Sequence, residues 1–356
     1  MISRIAIDGY KSIDKEELEL DNFTLLAGIN SAGKSSVIQA VLYMLHMQKK
    51  CGNEKVDAGF DIGRFTDIRN SIKGNREITF ELSAKAEEMT EVSTVSITQQ
   101  NGMMISSFEK TSNVDIDYIE THQVVYLSVE RVGVMRTYEL STKDEKEIGE
   151  RGEYAYSYLA LWGQDPIPEE RFAYEPEKIG MSLNNQVNFW LEYLMGFRIQ
   201  TNIIPEVDQV VVTYANAKNN RYYRGKNVGT GITYIAILII AALTCKRDDT
   251  IIIENPEIHL HPRAQSRFME FLAYLSDKGL QVIVETHSDH IYNGMRKCIK
   301  KGTLKKERIA AYFLELDDTM QTKVERIRLN EQGAEENHPY GMFDQFDDDL
   351  DELLGL

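Results

Sequence analysis

The chain has 356 residues, 42% hydrophobic and 27% charged, which is enough to bury a large core in one enlarged α/β domain or two smaller ones. Its net charge of −16 argues against a protein that coats nucleic acid, because such binding depends on neutralising phosphates. Three cysteines without paired spacing do not support a disulfide framework or a zinc site. We expect no signal peptide at the start of the chain, and the apolar run Ile232–Leu243 is too short to span a membrane.

The N-terminal part of the chain has the pattern of strands followed by a helix. Ile2–Asp8 alternates and ends at Gly9, and Leu18, Leu20, Phe23 and Leu25 begin a second alternating run. Phe23–Ala27 predicts a short buried strand that leads into a glycine-rich loop. Apolar residues in Val37–Leu45 recur on one face of a helix, and Gly59–Gly63 is typical of a turn.

The middle of the chain is β-like and then mixed. Alternating segments between residues 77 and 107, with a hairpin turn at Asn101-Gly102, predict antiparallel strands. Val124–Leu127 predicts a short buried strand, Leu183–Leu194 an amphipathic helix, and Val207–Tyr214 another strand.

The second half alternates between strands and helices. Thr250–Glu254 and Gln281–Glu285 predict buried strands, whereas Tyr234–Leu243 and Pro262–Leu275 predict helices. Such βα units predict a largely parallel sheet with helices on both faces and functional groups at the carboxyl ends of its strands.

A phosphate-binding motif follows the first apolar strands. Gly28-Ile-Asn-Ser-Ala-Gly-Lys-Ser-Ser36 fits G-x-x-x-x-G-K-[ST], whose glycines let backbone N–H groups surround phosphates at a helix N-terminus. Lys34 would reach the β- and γ-phosphates, and Ser35 would ligate Mg²⁺. The candidate nucleotide-binding residues are Asn30, Ser31, Ala32, Gly33, Lys34, Ser35 and Ser36.

An acid at the tip of an apolar strand supplies the second element of the candidate site. Downstream of a P-loop, Glu254 stands where an Mg²⁺ ligand is needed. Asn255 and Glu257 follow, and one of them should orient or deprotonate the attacking water. Glu257 is a carboxylate, whereas Asn255 can orient a water but cannot accept its proton.

A histidine and a glycine-started helix complete the candidate set. His287 follows the strand expected to neighbour that of the acid, where it could hydrogen-bond a γ-phosphate or the water. His259, His261 and His290 are nearby, but their spacing does not favour a metal site. Gly229-Thr-Gly231 opens a helix whose N–H groups could meet phosphate, with an ordinary structural loop as the other interpretation.

In this order the motifs resemble those of ABC-type ATPases of the RecF, OLD and SMC group. Ile251–Pro262 resembles the Walker B and D-loop of OLD-like ATPases, Glu285–His290 their histidine switch, and Asn227–Ile232 a divergent form of their signature motif. Asp8–Ser12 is similar to the motif after strand one of RecF-like proteins, and Pro339–Asp344 to a small C-terminal extension of one subgroup.

The resemblance implies an α/β fold, an ABC-ATPase head-like P-loop domain over residues 1–356. It would have a mixed or parallel core sheet, an N-terminal antiparallel β portion and a helical insertion. Residues 1–75 and 225–330 would form the nucleotide-binding core, residues 76–224 a β-rich and helical insertion, and residues 331–356 an acidic C-terminal extension.

The resemblance also implies a homodimer, or a higher homo-oligomer, that sandwiches ATP. Lys34, Ser35 and Glu254 of one subunit would bind ATP·Mg²⁺, with Ser35 and Glu254 as the metal ligands. The other subunit would cap the γ-phosphate with its signature residues, which are Asn227, Gly229, Thr230 and Gly231.

Two departures from the family pattern bear on catalysis. Gly229 stands where the signature usually has serine, and Asn255 stands at the position of the usual catalytic glutamate. Hydrolysis is therefore expected to be slow, or Glu257 serves instead. No acidic cluster like that of the OLD nuclease domain follows His287, so we expect no intrinsic nuclease activity.

Our principal hypothesis from the sequence is a cytoplasmic ATPase that dimerises on ATP and controls an effector encoded nearby, a nuclease or toxin, as stand-alone OLD-like ATPases do in anti-phage defence modules. A RecF-like ATPase acting on DNA in repair or end sensing is the second hypothesis. The basic stretches Arg221–Lys226 and Arg296–Arg308 favour it and the net charge does not. A nucleotide-binding scaffold without turnover is the third, suggested by Asn255. We expect no membrane association.

Overall fold

The computed structural model describes residues 1–51, 62–86, 89–112, 121–141, 146–218 and 221–355. Within these ranges the chain divides into two compact units. The first unit contains Met1–Gln123, His287–Asp289 and Lys305–Leu356, and the second contains Val124–Thr286 and His290–Leu304. The turn expected at Gly59–Gly63 falls largely outside the described residues.

Strands and helices are numbered along the chain. The strands are β1 (Ile2–Tyr10), β2 (Ile13–Glu19), β3 (Phe23–Gly28), β4 (Glu77–Ala86), β5 (Met89–Gln100), β6 (Met103–Ser112), β7 (Val124–Leu127), β8 (Tyr138–Glu139), β9 (Phe197–Ile204), β10 (Gln209–Asn216), β11 (Tyr222–Arg224), β12 (Thr250–Glu254), β13 (Gln281–Thr286), β14 (Ile309–Leu316) and β15 (Thr322–Ile327). The helices are α1 (Lys34–Cys51), α2 (Phe65–Ile68), α3 (Ala155–Trp162), α4 (Pro176–Ile179), α5 (Leu183–Met195), α6 (Thr230–Leu243), α7 (Pro262–Asp277), α8 (Asp289–Lys300) and α9 (Gln345–Leu354).

An antiparallel sheet in the order β2-β1-β4-β5-β6 forms much of the first unit. Its strands alternate between apolar and polar residues, so that one face, including Ile5, Ile7 and Phe80, is buried. The predicted hairpin is confirmed, since Asn101-Gly102 joins β5 to β6 with both residues at positive φ. Helix α1 packs on this sheet.

Strand β3 carries the chain to the glycine-rich loop. It pairs in parallel with β14, and β14 pairs in antiparallel fashion with β15. Every residue of β3 is buried, which explains its continuous apolar run.

The short buried strand expected over Phe23–Ala27 is confirmed as β3. The alternating run expected to begin at Leu18 is wrong as one strand, because the chain turns between Leu20 and Phe23. Thr24 Oγ1 accepts a hydrogen bond from the Asp21 backbone N–H at 3.0 Å, and Asp21 Oδ1 accepts one from the Asn22 N–H at 2.8 Å. These local bonds end β2 and start β3 in a different sheet. The first strand also runs one residue past Gly9, to Tyr10.

Three parallel strands organise the second unit. Strand β12 pairs with β13 on one side and with β7 on the other, so that Ile252 lies between Ile283 and Tyr126. The carboxyl ends of the three strands therefore lie at the same edge, with Glu254 opposite Glu285. The predicted bounds of β7 and β12 are confirmed.

Helices and a second antiparallel sheet complete this unit. The predicted amphipathic helix is α5, which buries Val187, Trp190, Leu191 and Leu194 and packs against α6. The strand expected over Val207–Tyr214 begins later, at Gln209, because residues 205–207 form a 3₁₀ turn. Strands β11, β10 and β8 lie side by side, and β9 also pairs with β10.

The strongly apolar helix α6 has 14 residues, and nearly all of its side chains are buried. Within the described ranges, no helix combines the length and apolarity needed to cross a membrane.

Candidate functional site

The glycine-rich loop has the predicted strand–loop–helix setting in the first unit. It leaves β3 at Gly28, and α1 begins at Lys34. Gly28 has a φ of +148°, and a Cβ atom there would lie 2.1 Å from the backbone oxygen of Leu314 on β14. Only glycine fits this close approach. Ser31 at the crest of the loop also has positive φ, at 63°.

Lys34 folds back under this loop. Its Nζ donates hydrogen bonds to the backbone oxygens of Gly28 at 2.9 Å and Ile29 at 2.7 Å, and only 3% of the residue is exposed. Ser35 is exposed at the start of α1, whereas Ser36 is buried. A buried ammonium beside the first turn of a helix makes this region electropositive, which suits a polyphosphate.

A hydroxyl pair supports the loop from below, and sequence reasoning missed half of it. Ser12 Oγ lies 2.7 Å from Thr322 Oγ1, and a Cβ atom on Gly33 would lie 2.7 Å from the same threonine oxygen. Ser12 belongs to the opening motif noted in the sequence. Thr322 starts β15, a strand that no motif had indicated.

His287 lies in the first unit together with the loop. Partial burial lowers the pKa of its imidazole below the ordinary 6.5, and the nearby positive charge of Lys34 lowers it further. A hydrogen bond with the Gly28 backbone raises this pKa but does not cancel the lowering. The ring is therefore neutral at pH 7. A neutral imidazole can both donate and accept a hydrogen bond.

Glu254, in the second unit, is held by groups from the segment after β7. The residue is 7% exposed. Oε1 accepts a hydrogen bond from the Tyr126 hydroxyl at 3.0 Å, and Oε2 accepts one from the Val129 N–H at 3.0 Å. Burial and the Glu254 charge raise the pKa of Tyr126, which keeps its hydroxyl protonated as a donor. The carboxylate is thus fixed in orientation, with lone pairs left on both oxygens.

Arg131 fixes the backbone of the same segment. Its guanidinium donates to the backbone oxygens of Glu254 at 2.6 Å and Asn255 at 2.7 Å, and to that of Ser128 at 3.0 Å. Burial lowers the pKa of Arg131 to about 10, partly offset by nearby acidic groups, so it remains charged at neutral pH. Its Cζ also lies 6.0 Å from the centre of the Tyr234 ring on α6.

Asn255 and Glu257 differ in what their side chains contact. Asn255 has a left-handed backbone, with φ of 42°, and donates its N–H to the Glu285 oxygen at 2.8 Å. Its amide Oδ1 is buried and accepts no hydrogen bond from the described residues. The Glu257 carboxylate instead accepts a bond from Thr286 Oγ1 at 2.9 Å.

The glycine-started helix is α6, with Gly229 as its N-cap residue and Thr230 as its first residue. A Cβ atom on Gly231 would lie 2.3 Å from the backbone oxygen of His259, whereas one on Gly229 would have no neighbour within 4 Å. Gly231 is therefore required by packing, and Gly229 faces open space. Asn227 ends the 3₁₀ turn that precedes the helix.

The other histidines have separate local roles. His261 caps α7 by accepting a hydrogen bond from the Arg263 N–H at 3.2 Å, and the His259 ring packs 4.9 Å from that of Tyr234. Over the described ranges, no group of three or more His, Cys, Asp or Glu side chains could hold a metal ion.

These residues fit ATP and Mg²⁺ in donor type. The first unit offers the lysine ammonium, the exposed Ser35 hydroxyl and the helix start, and the second offers an oriented carboxylate. Mg²⁺ prefers such oxygen ligands and takes its remaining ones from phosphates and water. The unpaired Asn255 oxygen is an acceptor that a bound donor would satisfy.

Comparison with known protein families decides the family. The model of the AAA ATPase domain family matches residues 1–153 and 170–292, which is most of the chain. The chain belongs to this family. The match covers the glycine-rich loop, the Tyr126–Arg131 segment, the Glu254 segment and His287.

This AAA ATPase is also similar to one curated protein, the Old nuclease of Escherichia phage P2, with 34% identity over 93 residues. That match spans 24% of this chain and only 16% of the length of the Old nuclease.

Solved structures with a similar fold are heads of SMC proteins. The SMC head of Pyrococcus furiosus bound to the C-terminal domain of ScpA has a TM-score of 0.54 and 12% identity, covering 99% of both chains. An SMC head bound to the C-winged helix domain of ScpA has a TM-score of 0.56 and 13% identity, covering 93% of this chain and 98% of the other. The SMC head domain of Thermotoga maritima has a TM-score of 0.50 and 12% identity, covering 92% and 99%.

The predicted α/β fold of the ABC-ATPase head type is therefore confirmed, as is the resemblance to ATPases of the OLD and SMC kind. Sequence reasoning missed the contacts that hold Glu254. Tyr126 and Arg131 belong to a segment with no recognised motif. The sequence signal there was a tyrosine in a predicted short strand and an arginine soon after it, more than 120 residues before the acid.

Proposed function

We propose that this AAA ATPase binds ATP·Mg²⁺ through Lys34, Ser35 and Glu254, with the loop residues 30–36 around the phosphates. The observation that carries this proposal is that the ammonium of Lys34 and the carboxylate of Glu254 are both held in place by hydrogen bonds. The Lys34 ammonium is buried under the loop, and the Glu254 carboxylate is oriented by two donors. When bound, the metal supplies neutralisation of the phosphate charge. The chain's own residues hold the phosphates in place.

We further propose that hydrolysis is slow. Asn255 occupies the position of the usual base and can orient a water without taking its proton, and Glu257 is the nearby carboxylate that can accept one. The hydrogen bond from Thr286 Oγ1 to the Glu257 carboxylate at 2.9 Å occupies one of its acceptor positions and limits how that carboxylate can turn toward a water. Neutral His287 would orient the γ-phosphate or the water.

We propose that two copies sandwich the nucleotide, each capping the other's γ-phosphate with Asn227, Gly229, Thr230 and Gly231. The open space at Gly229 supports this proposal, because a phosphate needs room to approach the first N–H groups of α6. With no serine at that position, recognition would depend on backbone groups and the Thr230 hydroxyl.

We propose that the ATP-held dimer controls a partner effector, such as a nuclease or toxin, in anti-phage defence. The similarity to a part of the Old nuclease and the partner-bound state of the SMC heads favour this role. The similarity spans 16% of the Old nuclease, so the proposal does not carry the activity of that whole protein over to this chain.

Light scattering with and without Mg-ATP tests the switch. We expect dimers with Mg-ATP for the wild-type chain and none for Lys34→Ala, and absence of ATP-dependent dimers in the wild type would reject the sandwich. Lys15→Ala is a matched control, since this lysine lies on β2.

Phosphate release separates a slow ATPase from a scaffold without turnover, the alternative that Asn255 favours. Slow release that requires Lys34 and falls in Glu257→Gln supports an ATPase. Nucleotide binding without any release that depends on Lys34 would support the scaffold.

A further inference from the structure

The C-terminal helix α9 presents an apolar stripe to solvent. Phe346, Leu350, Leu353 and Leu354 are 73%, 41%, 83% and 64% exposed. Their spacing of four, three and one residues places them on one side of the helix. A helix with such a stripe normally buries it against another surface.

Acidic residues occupy the rest of α9 and flank the stripe on both sides. They are Asp348, Asp349, Asp351 and Glu352, and the helix contains no Lys or Arg. An anionic membrane would repel this helix, since helices that lie on membranes carry basic residues on their polar face. Nucleic acid is excluded for the same reason. The matching surface must be apolar in its floor and basic at its rim.

The N-terminal end of α9 is anchored to the rest of the first unit, while its apolar stripe remains exposed to solvent. Met342 is buried with 1% exposure. His338 Nε2 lies 2.6 Å from the Asp344 carboxylate, directly before the helix. A helix held at its base loses less conformational freedom on docking.

A groove in the second unit has the required character. It has a volume of about 440 Å³ and is floored by Leu194, Met195 and Ala264. Lys218, Arg263 and Arg267 line it, the two arginines lying one turn apart on α7. The one acid in the lining, Glu192, is already paired with Arg198 at 2.6 Å.

We propose that α9 of one copy of this chain docks into the groove of a second copy. The apolar stripe would cover Leu194, Met195 and Ala264, and the flanking acids would pair with Lys218, Arg263 and Arg267. The net charge of −16 makes most of the surface repel an acidic helix, so this locally basic groove is the complementary place. This contact does not require nucleotide and is independent of the ATP sandwich.

A mixed disulfide tests the contact in the full chain. Leu350→Cys and Met195→Cys are introduced into separate chains carrying Cys51→Ser, and the two proteins are mixed and oxidised without nucleotide. We expect a disulfide between the two chains. Lys246→Cys, on an exposed position away from the groove, replaces Met195→Cys as the control and should give at least ~10-fold less product.

Charge reversal tests the complementarity. Arg263→Glu with Arg267→Glu should lower the yield of the mixed disulfide at least ~10-fold, and Asp348→Lys with Asp351→Lys on the other chain should restore it. The control pair Lys246→Glu and Arg247→Glu makes the same charge change elsewhere and should leave the yield unchanged.

Two outcomes would overturn the proposal. They are no mixed disulfide above the control and a yield insensitive to charge reversal. Repeating the mixture with Lys34→Ala separates this contact from the proposed function. The disulfide should persist in that variant even though ATP-dependent dimers are lost.

Discussion

Replacing Arg131 by methionine removes the group that holds the backbone after β12. The side chain of Met replaces the aliphatic part of Arg and has no donor, so the oxygens of Ser128, Glu254 and Asn255 lose the bonds of 2.6–3.0 Å that they now accept. Three hydrogen bonds from a charged donor contribute about 5–9 kcal/mol. The lowering of the Arg131 pKa from 12.5 to about 10, in which burial outweighs the nearby acidic groups, corresponds to a net cost of about 3 kcal/mol. We therefore expect Arg131→Met to lower the free energy of unfolding by about 2–6 kcal/mol.

Urea unfolding followed by tryptophan fluorescence measures this loss where it occurs. Both tryptophans of the chain, Trp162 and Trp190, lie in the second unit together with Arg131. Arg136 is exposed in the same segment, and Arg136→Met should change the unfolding free energy by no more than about 0.5 kcal/mol.

The same substitution should slow hydrolysis more than it weakens nucleotide binding. Arg131 positions Glu254 and Asn255 in the second unit, whereas the phosphate-binding loop lies in the first. At a temperature where the variant is fully folded, we expect kcat to fall about 10–100-fold and KM for ATP to change less than about 3-fold. An unchanged kcat would refute a positioning role, and an unchanged unfolding free energy would refute the hydrogen-bond argument.

Three further substitutions test other parts of the site. Gly231→Ala should lower the free energy of unfolding in urea by about 1–3 kcal/mol, because the added Cβ would lie 2.3 Å from the backbone oxygen of His259. Gly229→Ala is the control and should lower it by under 1 kcal/mol, because a Cβ there has no neighbour within 4 Å. Equal losses in the two variants would contradict the packing role of Gly231. Asn255→Glu should raise the rate of phosphate release at least ~10-fold, because it supplies a carboxylate that can take the proton of the attacking water. The left-handed backbone at this residue should cost the variant about 1 kcal/mol of stability. An unchanged or lower rate would argue against position 255 as the site of the base. The pKa of His287 is lowered in the folded chain, so its contribution to stability is present above pH 6.5 and is lost as the pH falls below that value. We therefore expect the fall in ATPase rate at acidic pH to be shallower in His287→Gln than in the wild type. An identical pH profile in the two proteins would exclude His287 as the cause of that fall.

Local patterns predicted the elements that depend on local information. Strands β7 and β12 are short apolar runs bounded by polar residues, and their bounds were correct. The hairpin at Asn101-Gly102 follows from the conformations that these two residues tolerate. The glycine-rich loop was recognisable because phosphate binding fixes residue types at close spacing.

Errors arose where polar side chains redirected the backbone. Asp21 and Thr24 divide an apparently continuous alternating run through hydrogen bonds to backbone N–H groups. Asp208 takes up a left-handed backbone after a 3₁₀ turn and delays the start of β10. Hydrophobic periodicity alone shows the alternation of apolar and polar residues, but it does not show a turn that interrupts the strand.

The surroundings of Glu254 could not be predicted from spacing. Tyr126 and Arg131 reach it across more than 120 residues, and their own segment has no distinguishing motif. The contact exists because β7 and β12 are parallel neighbours in one sheet. That pairing is part of the tertiary structure and cannot be seen in the local sequence.

Asn255 is followed by Pro256, and this pairing has a consequence for the lifetime of the molecule. Asparagine deamidates spontaneously when the next backbone nitrogen attacks its amide and forms a cyclic imide. Proline has no N–H, so its nitrogen cannot complete that reaction. The amide next to Glu254 is thus protected from slowly becoming a carboxylate that could act as a base. If hydrolysis is slow as proposed, ageing through the cyclic imide would therefore not place a carboxylate at position 255.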